Sequence, residues 1–276
     1  MQSMIAEMTS EEYYSHPALS HSRLKLIERS PAHFRHWMEH QKESTDALDF
    51  GRLFHASILE PETVATDFTV APDVDRRTKA GKEEYAKFLK SATGKTVVSA
   101  ADLEMVGAMS ASISTDDAAK SLVFEAVAGG RVEEAHLWRD QALALEMKAK
   151  ADAIIRNGVV IDLKTTTDAS PSAFASSIAR YGYHTQAAFY ARAVRAAGMD
   201  FGGFIIIAVE KTPPYAVGVY QIDSSALAAG EARIQRWLST YVDCLTSNTW
   251  PGYTSGSVRF LSLPAWMKKE DQNEEW

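Results

Sequence analysis

The chain has 276 residues, 46% hydrophobic and 24% charged, enough for one large domain or two small ones with a sizeable core. A net charge of −7 speaks against a passive nucleic-acid coat, although metal-binding acids count toward that total and basic residues can be concentrated locally. The single cysteine, Cys244, excludes a disulfide framework, a four-cysteine zinc site and a cysteine-ligated iron–sulfur cluster.

The N-terminus, MQSMIAEMTSEEYY, has no basic region followed by an apolar run, so no signal peptide is expected. Residues 1–128 read mainly as helix. The stretch SHSRLKLIERSPAHFRHWMEH offers Ser20 and Ser22 as N-caps, places Leu24, Ile27, Phe34 and Trp37 at helical spacing, and breaks at Ser30-Pro31. A second helix, DALDFGRLFHASILEPE, stops at Pro61. Residues 76–95 carry seven Lys/Arg against two Glu and read either as a solvated helix face or as a contact for an acidic partner. Two more helices, SAADLEMVGAMSASI and DDAAKSLVFEAV, end at Gly129-Gly130.

The period then changes. Residues 131–138, RVEEAHLW, alternate like a strand, and 144–155, ALEMKAKADAII, read as a second strand. Arg156-Asn157-Gly158 is a hairpin signal, and VVIDLK returns. A helix follows with Ser170 as N-cap, Pro171 in its first turn and Gly182 past its end. Another helix, YHTQAAFYARAVRAAG, precedes the strands GFIIIAVE and AVGVYQID. A long helix runs from about Ser224 to Leu245, and then comes a tail rich in Pro, Gly and Trp. The longest apolar run, 204–209, is far too short to span a bilayer. A soluble, cytoplasmic protein without membrane contact is expected.

The chemistry concentrates on the returning strand. Val159, Ile161 and Leu163 face one side, and Val160, Asp162 and Lys164 the other. A strict two-residue loop would set Asp152 opposite Leu163. A three-residue loop pairs Ile155 with Val159, puts Gly158 in the left-handed region and sets Asp152 opposite Asp162. Adjacent carboxylates repel unless a cation lies between them. Hard oxygen ligands suit Mg²⁺. A cation there polarises a phosphodiester and activates water, while Lys164 adds positive charge beside the phosphate. Asp-x-Lys by itself is common on exposed edges; the apolar run before it and the second Asp across the hairpin distinguish this one.

An Asp, a short hairpin and then Asp-x-Lys after an apolar run resemble the core of the PD-(D/E)XK nuclease superfamily. The segments ALSHSRLKLIERSPAHF, DFGRLFHASILEPE, DRRTKAGKEEY, VEEAHLW, KADAII, VVIDLKTTTDASPSAF and YGYHTQAAFY resemble, in this order, the RecE-type exonucleases (exonuclease VIII) from near residue 10 to about 210. The resemblance implies an α/β (α+β) restriction-endonuclease-like core with a mixed central sheet flanked by helices. It is read as one domain over 1–276: a helical portion to 128, a nuclease core over 129–250 and an irregular tail over 251–276.

The same resemblance implies roles. His55, Asp152, Asp162 and the Leu163 carbonyl match metal ligands, and Lys164 the catalytic lysine. Glu133 matches an acidic site position, with Glu134 next to it as the alternative. Gln186 and Tyr190 match a Gln-x-x-x-Tyr element and share a helix face. DNA contacts are expected from Arg76, Arg77, Lys79 and Lys82, from Thr165 and Thr166, and, for a terminal phosphate, from Ser20, Ser22 and Arg23; the two serines are equally good helix caps. The implied activity is Mg²⁺-dependent exonuclease digestion of linear double-stranded DNA, 5′ to 3′, with Mn²⁺ as a substitute. A ring-like homo-oligomer, trimer or tetramer, and a RecT-like single-strand annealing partner are also implied. The alternatives are another nuclease of the superfamily, endonuclease or RecB-like, and a catalytically silent DNA-end-binding protein. Retention of His55, Asp152, Asp162 and Lys164 together argues against the silent form.

Overall fold

A computed structural model describes residues 3–6, 8–40 and 45–264. Residues 265–276 of the expected tail lie outside the described residues; 251–264 carry no helix or strand.

The N-terminal portion opens with a strand, β1 (Ser3–Ala6), followed by α1 (Ser10–Ser15), α2 (His21–Leu24), α3 (Leu26–Arg29) and α4 (Pro31–Glu39). The sequence predicts one broken helix over α2–α4, and the chain bends once more than predicted, at Lys25. Ser20 caps α2 by accepting from the Arg23 N–H, whereas Ser22 lies inside the helix. Ser30 caps α4, with Pro31 pre-set for its first turn. Helix α5 (Asp46–Leu59) follows, then α6 (Val64–Asp67). Strand β2 (Phe68–Val70) and β3 (Thr96–Val98) form a small parallel pair, joined by the basic helix α7 (Lys79–Ser91). Helices α8 (Ala100–Thr115) and α9 (Asp117–Gly129) complete this portion, each started by a side-chain cap.

The strands after Gly129 depart from the two long ones predicted. Residues 131–138 divide into β4 (Arg131–Val132) and β5 (Ala135–Asp140), and 144–155 divide into β6 (Leu145–Lys150) and β7 (Ala153–Ile155). The cause is tertiary. β5 and β6 join β1 in a three-stranded sheet, while β4 and β7 join the main one. The crossings fall at Glu133, whose φ is +49°, and at Ala151-Asp152. Glu133 N–H donates to the Asp152 carbonyl at 3.1 Å, which ties the two crossings together.

The main sheet is completed by β8 (Val159–Thr166), β9 (Gly203–Glu210) and β10 (Val217–Gln221), in the order β10-β9-β8-β7-β4. β8 and β9 are parallel, connected through α10 (Pro171–Tyr181) and α11 (Tyr183–Ala196); the other pairs are antiparallel. Helix α12 (Ser224–Ser247) ends the regular structure. Ile155 pairs with Val159, the register of the three-residue loop. Asn157 and Gly158 are both left-handed, and a Cβ on Gly158 would fall 1.9 Å from the Asp200 carbonyl oxygen.

Strand β8 is buried on both sides. Ile161 and Leu163 pack with Leu53, Phe54 and Met109 of α5 and α8. Val160 packs with Phe174, Ala187, Phe204 and Ile206. A third cluster joins α2–α4 and α12 to the small sheet through Leu24, Phe34, Trp138, Met147 and Trp237. The site strand is therefore the middle of a helix–sheet–helix sandwich. No helix among the described residues is long and apolar enough to cross a membrane.

Candidate metal centre

The Leu163 peptide unit is held on both sides. Where β7 ends, the Asp152 side chain takes the ladder's place: its Oδ2 accepts the Leu163 N–H at 2.6 Å. On the other side of the peptide, His55 Nε2 lies 3.1 Å from the Leu163 carbonyl oxygen. Helix α5 delivers this ring because Leu53, Phe54 and Ile58 anchor its other face in the core. His55 Nδ1 is 3.4 Å from Asp152 Oδ1. Glu133, at the strand crossing, adds a second carboxylate. Ligating atoms of His55, Glu133 and Asp152 all lie within 4.8 Å of one another. Glu134 instead pairs with Arg131 at 3.2 Å and His136 at 3.0 Å.

The charges in this cluster are strongly interdependent. Burial opposes ionisation of Asp152, yet His55, Lys164 and the Leu163 N–H together hold its carboxyl below the usual range. Burial likewise opposes a charged His55, and Asp152 overcomes it, raising the imidazole above its ordinary value. Burial and the neighbouring Asp152 push Glu133 up, against the pull of Lys150. Lys150 Nζ sits 2.7 Å from Glu133 Oε2.

Asp162 has a different surrounding. It is completely buried, with Gln186 Nε2 donating to Oδ1 at 2.7 Å and the Lys164 ammonium paired with Oδ2. Burial pushes its carboxyl up to about 6, opposed by Lys164 and assisted by Asp152. Lys164 lies over the Tyr183 ring, 5.2 Å from its centroid. Gln186 and Tyr190 do share a face of α11: the first holds Asp162, and the Tyr190 hydroxyl donates to the Lys150 carbonyl at 3.0 Å. The predicted register holds along β7, but Asp152 turns to His55 and Glu133 rather than sharing one position with Asp162.

The donor set fits a divalent cation. Two carboxylates and an imidazole converge, and a backbone carbonyl lies against the imidazole. Oxygen-rich sets of this kind suit Mg²⁺, and the imidazole is equally acceptable to Mn²⁺.

A cavity of about 460 Å³ opens beside the cluster. It is bordered by Arg52 and His55 of α5, by Tyr13, Tyr14, Ser20 and Ser22 of the N-terminal segment, and by Glu133, Lys148, Lys150 and Asp152. Ser20 and Ser22 thus reach the site, with their hydroxyls 3.0 Å apart. Arg23 does not join them. Its guanidinium is buried and donates to the carbonyls of Tyr14, His16 and Ala18, so it shapes the loop instead of facing a phosphate. Arg76 and Arg77 precede α7; Arg76 lies over Tyr85, and Arg77 pairs with Asp75 at 3.0 Å. Lys79 and Lys82 are exposed on α7. Thr165 and Thr166 close β8, and the Thr166 hydroxyl donates to the Asp168 carbonyl at 3.1 Å.

Lys148 and Lys150 were not singled out by sequence reasoning. The alternation Lys148-Ala149-Lys150-Ala151-Asp152 was the available signal, since it places both lysines on the face that leads to Asp152.

The model of a PDDEXK-like domain of unknown function (DUF3799) matches residues 20–263. The fold is the mixed α/β, PDDEXK-like one, with its five-stranded mixed sheet. Among solved structures, one described as a putative exonuclease from Eubacterium rectale superposes with a TM-score of 0.58 at 15% identity, over 98% of this chain and 100% of that one. The structure of SSO0001 reaches a TM-score of only 0.32 at 17% identity, over 71% of this chain and 86% of that one, and carries no argument. No curated protein matches the sequence significantly.

Proposed function

From the premise that the chain belongs to the PDDEXK-like family DUF3799, we propose that it is a Mg²⁺-dependent exonuclease acting on the ends of linear double-stranded DNA, 5′ to 3′. The observation that carries this reading is the convergence of His55, Glu133 and Asp152 beside the Asp162–Lys164 pair on β8. The likeness in fold to a structure described as a putative exonuclease is consistent with this choice within nucleases. The cavity beside the cluster, about 460 Å³, gives a substrate access to these ligands.

His55, Glu133, Asp152 and the Leu163 carbonyl would hold the cation. When bound, it supplies positive charge to the attacked phosphate and lowers the pKa of water. Asp162 keeps Lys164 charged and fixes its direction, so that an ammonium stands ready beside the reacting phosphate. Gln186 locks the Asp162 carboxylate by its other oxygen. Ser20 and Ser22, which line the cavity, would offer hydroxyls to phosphate oxygens.

Digestion of 5′-phosphorylated linear duplex, supercoiled circle and single strand, each with and without Mg²⁺, tests the proposal. The expected result is Mg²⁺-dependent loss of the linear duplex with the circle intact. Cutting of the circle would make the protein an endonuclease. Failure to cut any of the three would end the enzyme reading.

A further inference from the structure

Lys150 ends β6, two positions before Asp152. Its ammonium touches Glu133 Oε2 and borders the cavity together with Glu133 and Asp152. Tyr190 pins the backbone at this point by donating to the Lys150 carbonyl. Two ammoniums accompany the ligands. Lys150 pairs with Glu133 of the ligand cluster. Lys164 pairs with Asp162 and acts on Asp152 and His55 as well.

Phosphodiester hydrolysis is an in-line displacement. The entering and leaving oxygens lie on opposite sides of phosphorus, and the leaving oxygen gains negative charge as its bond breaks. Enzymes with two metal ions place one near each of these oxygens. Here three protein ligands converge on one position, and the Lys150 ammonium pairs directly with one of the three at the cavity wall.

We propose that Lys150 is a further catalytic residue, whose ammonium stabilises the leaving oxygen of the phosphodiester. This deepens the nuclease reading and rests on it. In the step, a water oxygen bonds to phosphorus and its proton passes to solvent. The bond from phosphorus to the leaving oxygen breaks, and that oxygen keeps the electron pair. Lys150 Nζ–H donates a hydrogen bond to it as charge builds, and a solvent proton then completes the hydroxyl. A purely structural Lys150 would only hold Glu133 in place for the cation, and that role makes the opposite prediction for cation binding.

The test compares Lys150→Met, Lys150→Arg and Lys164→Met in the full chain. Calorimetry with Mn²⁺ measures the cation site, and cleavage is followed on linear duplex with a normal link or with sulfur in place of the leaving oxygen. Lys150→Met is expected to lower kcat on the normal link about 100-fold, equivalent to about 2.7 kcal/mol, and to change KM less than about threefold. It should bind Mn²⁺ at least as tightly as the wild type, because a cation competing for Glu133 is gone. Lys150→Arg should stay within about tenfold of wild type. A thiolate, with an ordinary pKa near 8.5, departs with little help, so the sulfur link should shrink the Lys150→Met defect below about tenfold and leave the Lys164→Met defect in place.

Wild-type kcat in Lys150→Met would overturn the proposal. So would Mn²⁺ affinity that falls in step with the rate, or an unchanged defect on the sulfur link. A wild-type protein that binds Mn²⁺ but cuts nothing would instead remove the nuclease reading, and this inference with it.

Discussion

Asp152 and Asp162 face each other's surroundings across one hairpin, yet the two regions use their carboxylates in opposite ways. Asp162 turns both oxygens inward, one to Gln186 and one to Lys164, and is fully buried. Asp152 commits one oxygen to the Leu163 N–H and turns the other toward His55, where Glu133 joins it at the cavity wall. The first region is neutralised by the protein itself. The second gathers ligands and leaves them open to an incoming ion. The same residue type thus serves internal charge balance in one place and external charge recruitment in the other, decided by which partners the neighbouring elements deliver.

The comparison breaks most sharply if Asp152 loses its charge while keeping its shape. Asp152→Asn is expected to lower cleavage on the order of 10³-fold and to abolish the heat of Mn²⁺ binding. Wild-type Mn²⁺ affinity in this variant would remove Asp152 from the ligand set. The Asp162 region should respond in stability as well as activity. Asp162→Ala strands a buried ammonium and is expected to cost about 3–5 kcal/mol in urea unfolding. Asp162→Leu combined with Lys164→Met should recover most of that stability and remain inactive. If the double variant is no more stable than the single one, the pair is not self-contained.

A smaller effect separates the regions by pH. His55 has a raised pKa, so it keeps its proton to higher pH than an ordinary imidazole, and a ligand must be neutral. Mn²⁺ affinity should therefore grow with pH, by up to about tenfold per unit below the imidazole's pKa. His55→Gln should bind more weakly and with a flatter profile; an unchanged slope would point to another titrating group. The smallest effect concerns the cavity's far wall. Burial, with Arg23 adding repulsion, brings the Lys148 ammonium down to about 8, where it donates to the Tyr13 and His16 carbonyls and lies over the Tyr13 ring. Above that pH the folded chain releases a proton that the unfolded chain still holds, so this group's contribution to stability rises from pH 8 toward the ordinary lysine value of 10.5. Lys148→Met should flatten the rise in urea midpoint between about pH 7.5 and 9.5. An identical rise in both proteins would assign it elsewhere.

What the sequence could and could not disclose follows the same division. The Ile155–Val159 register was legible because it is local: Asn157 and Gly158 tolerate the left-handed conformations that a three-residue loop needs. Helical spacing put Gln186 and Tyr190 on one face and the family resemblance marked them as site candidates, but the bond from Gln186 to Asp162 was not legible. Glu133 and Asp152 were legible as residue types, but their geometry was not. Each sits where a predicted strand leaves one sheet for another, and alternation along a chain carries no information about which sheet receives it. Strand β1, which edges the small sheet, and the short parallel pair β2–β3 were hidden for a related reason, since three or four residues give too little pattern to read. Arg23 misled because an arginine directly after Ser22 looks alike in sequence whether it faces a phosphate or three carbonyls.

Leu163 bears on what may stand between the two charged letters of Asp-x-Lys. Its side chain lies in the core cluster with Leu53 and Phe54, where another apolar group of similar volume would serve. Its amide hydrogen and carbonyl oxygen, by contrast, are the points where Asp152 and His55 meet the strand. The middle position is thus permissive in side-chain identity and intolerant in backbone chemistry. Isoleucine or valine can be accommodated there, but proline, which brings no hydrogen for Asp152, would disconnect the site without altering any of its charged residues.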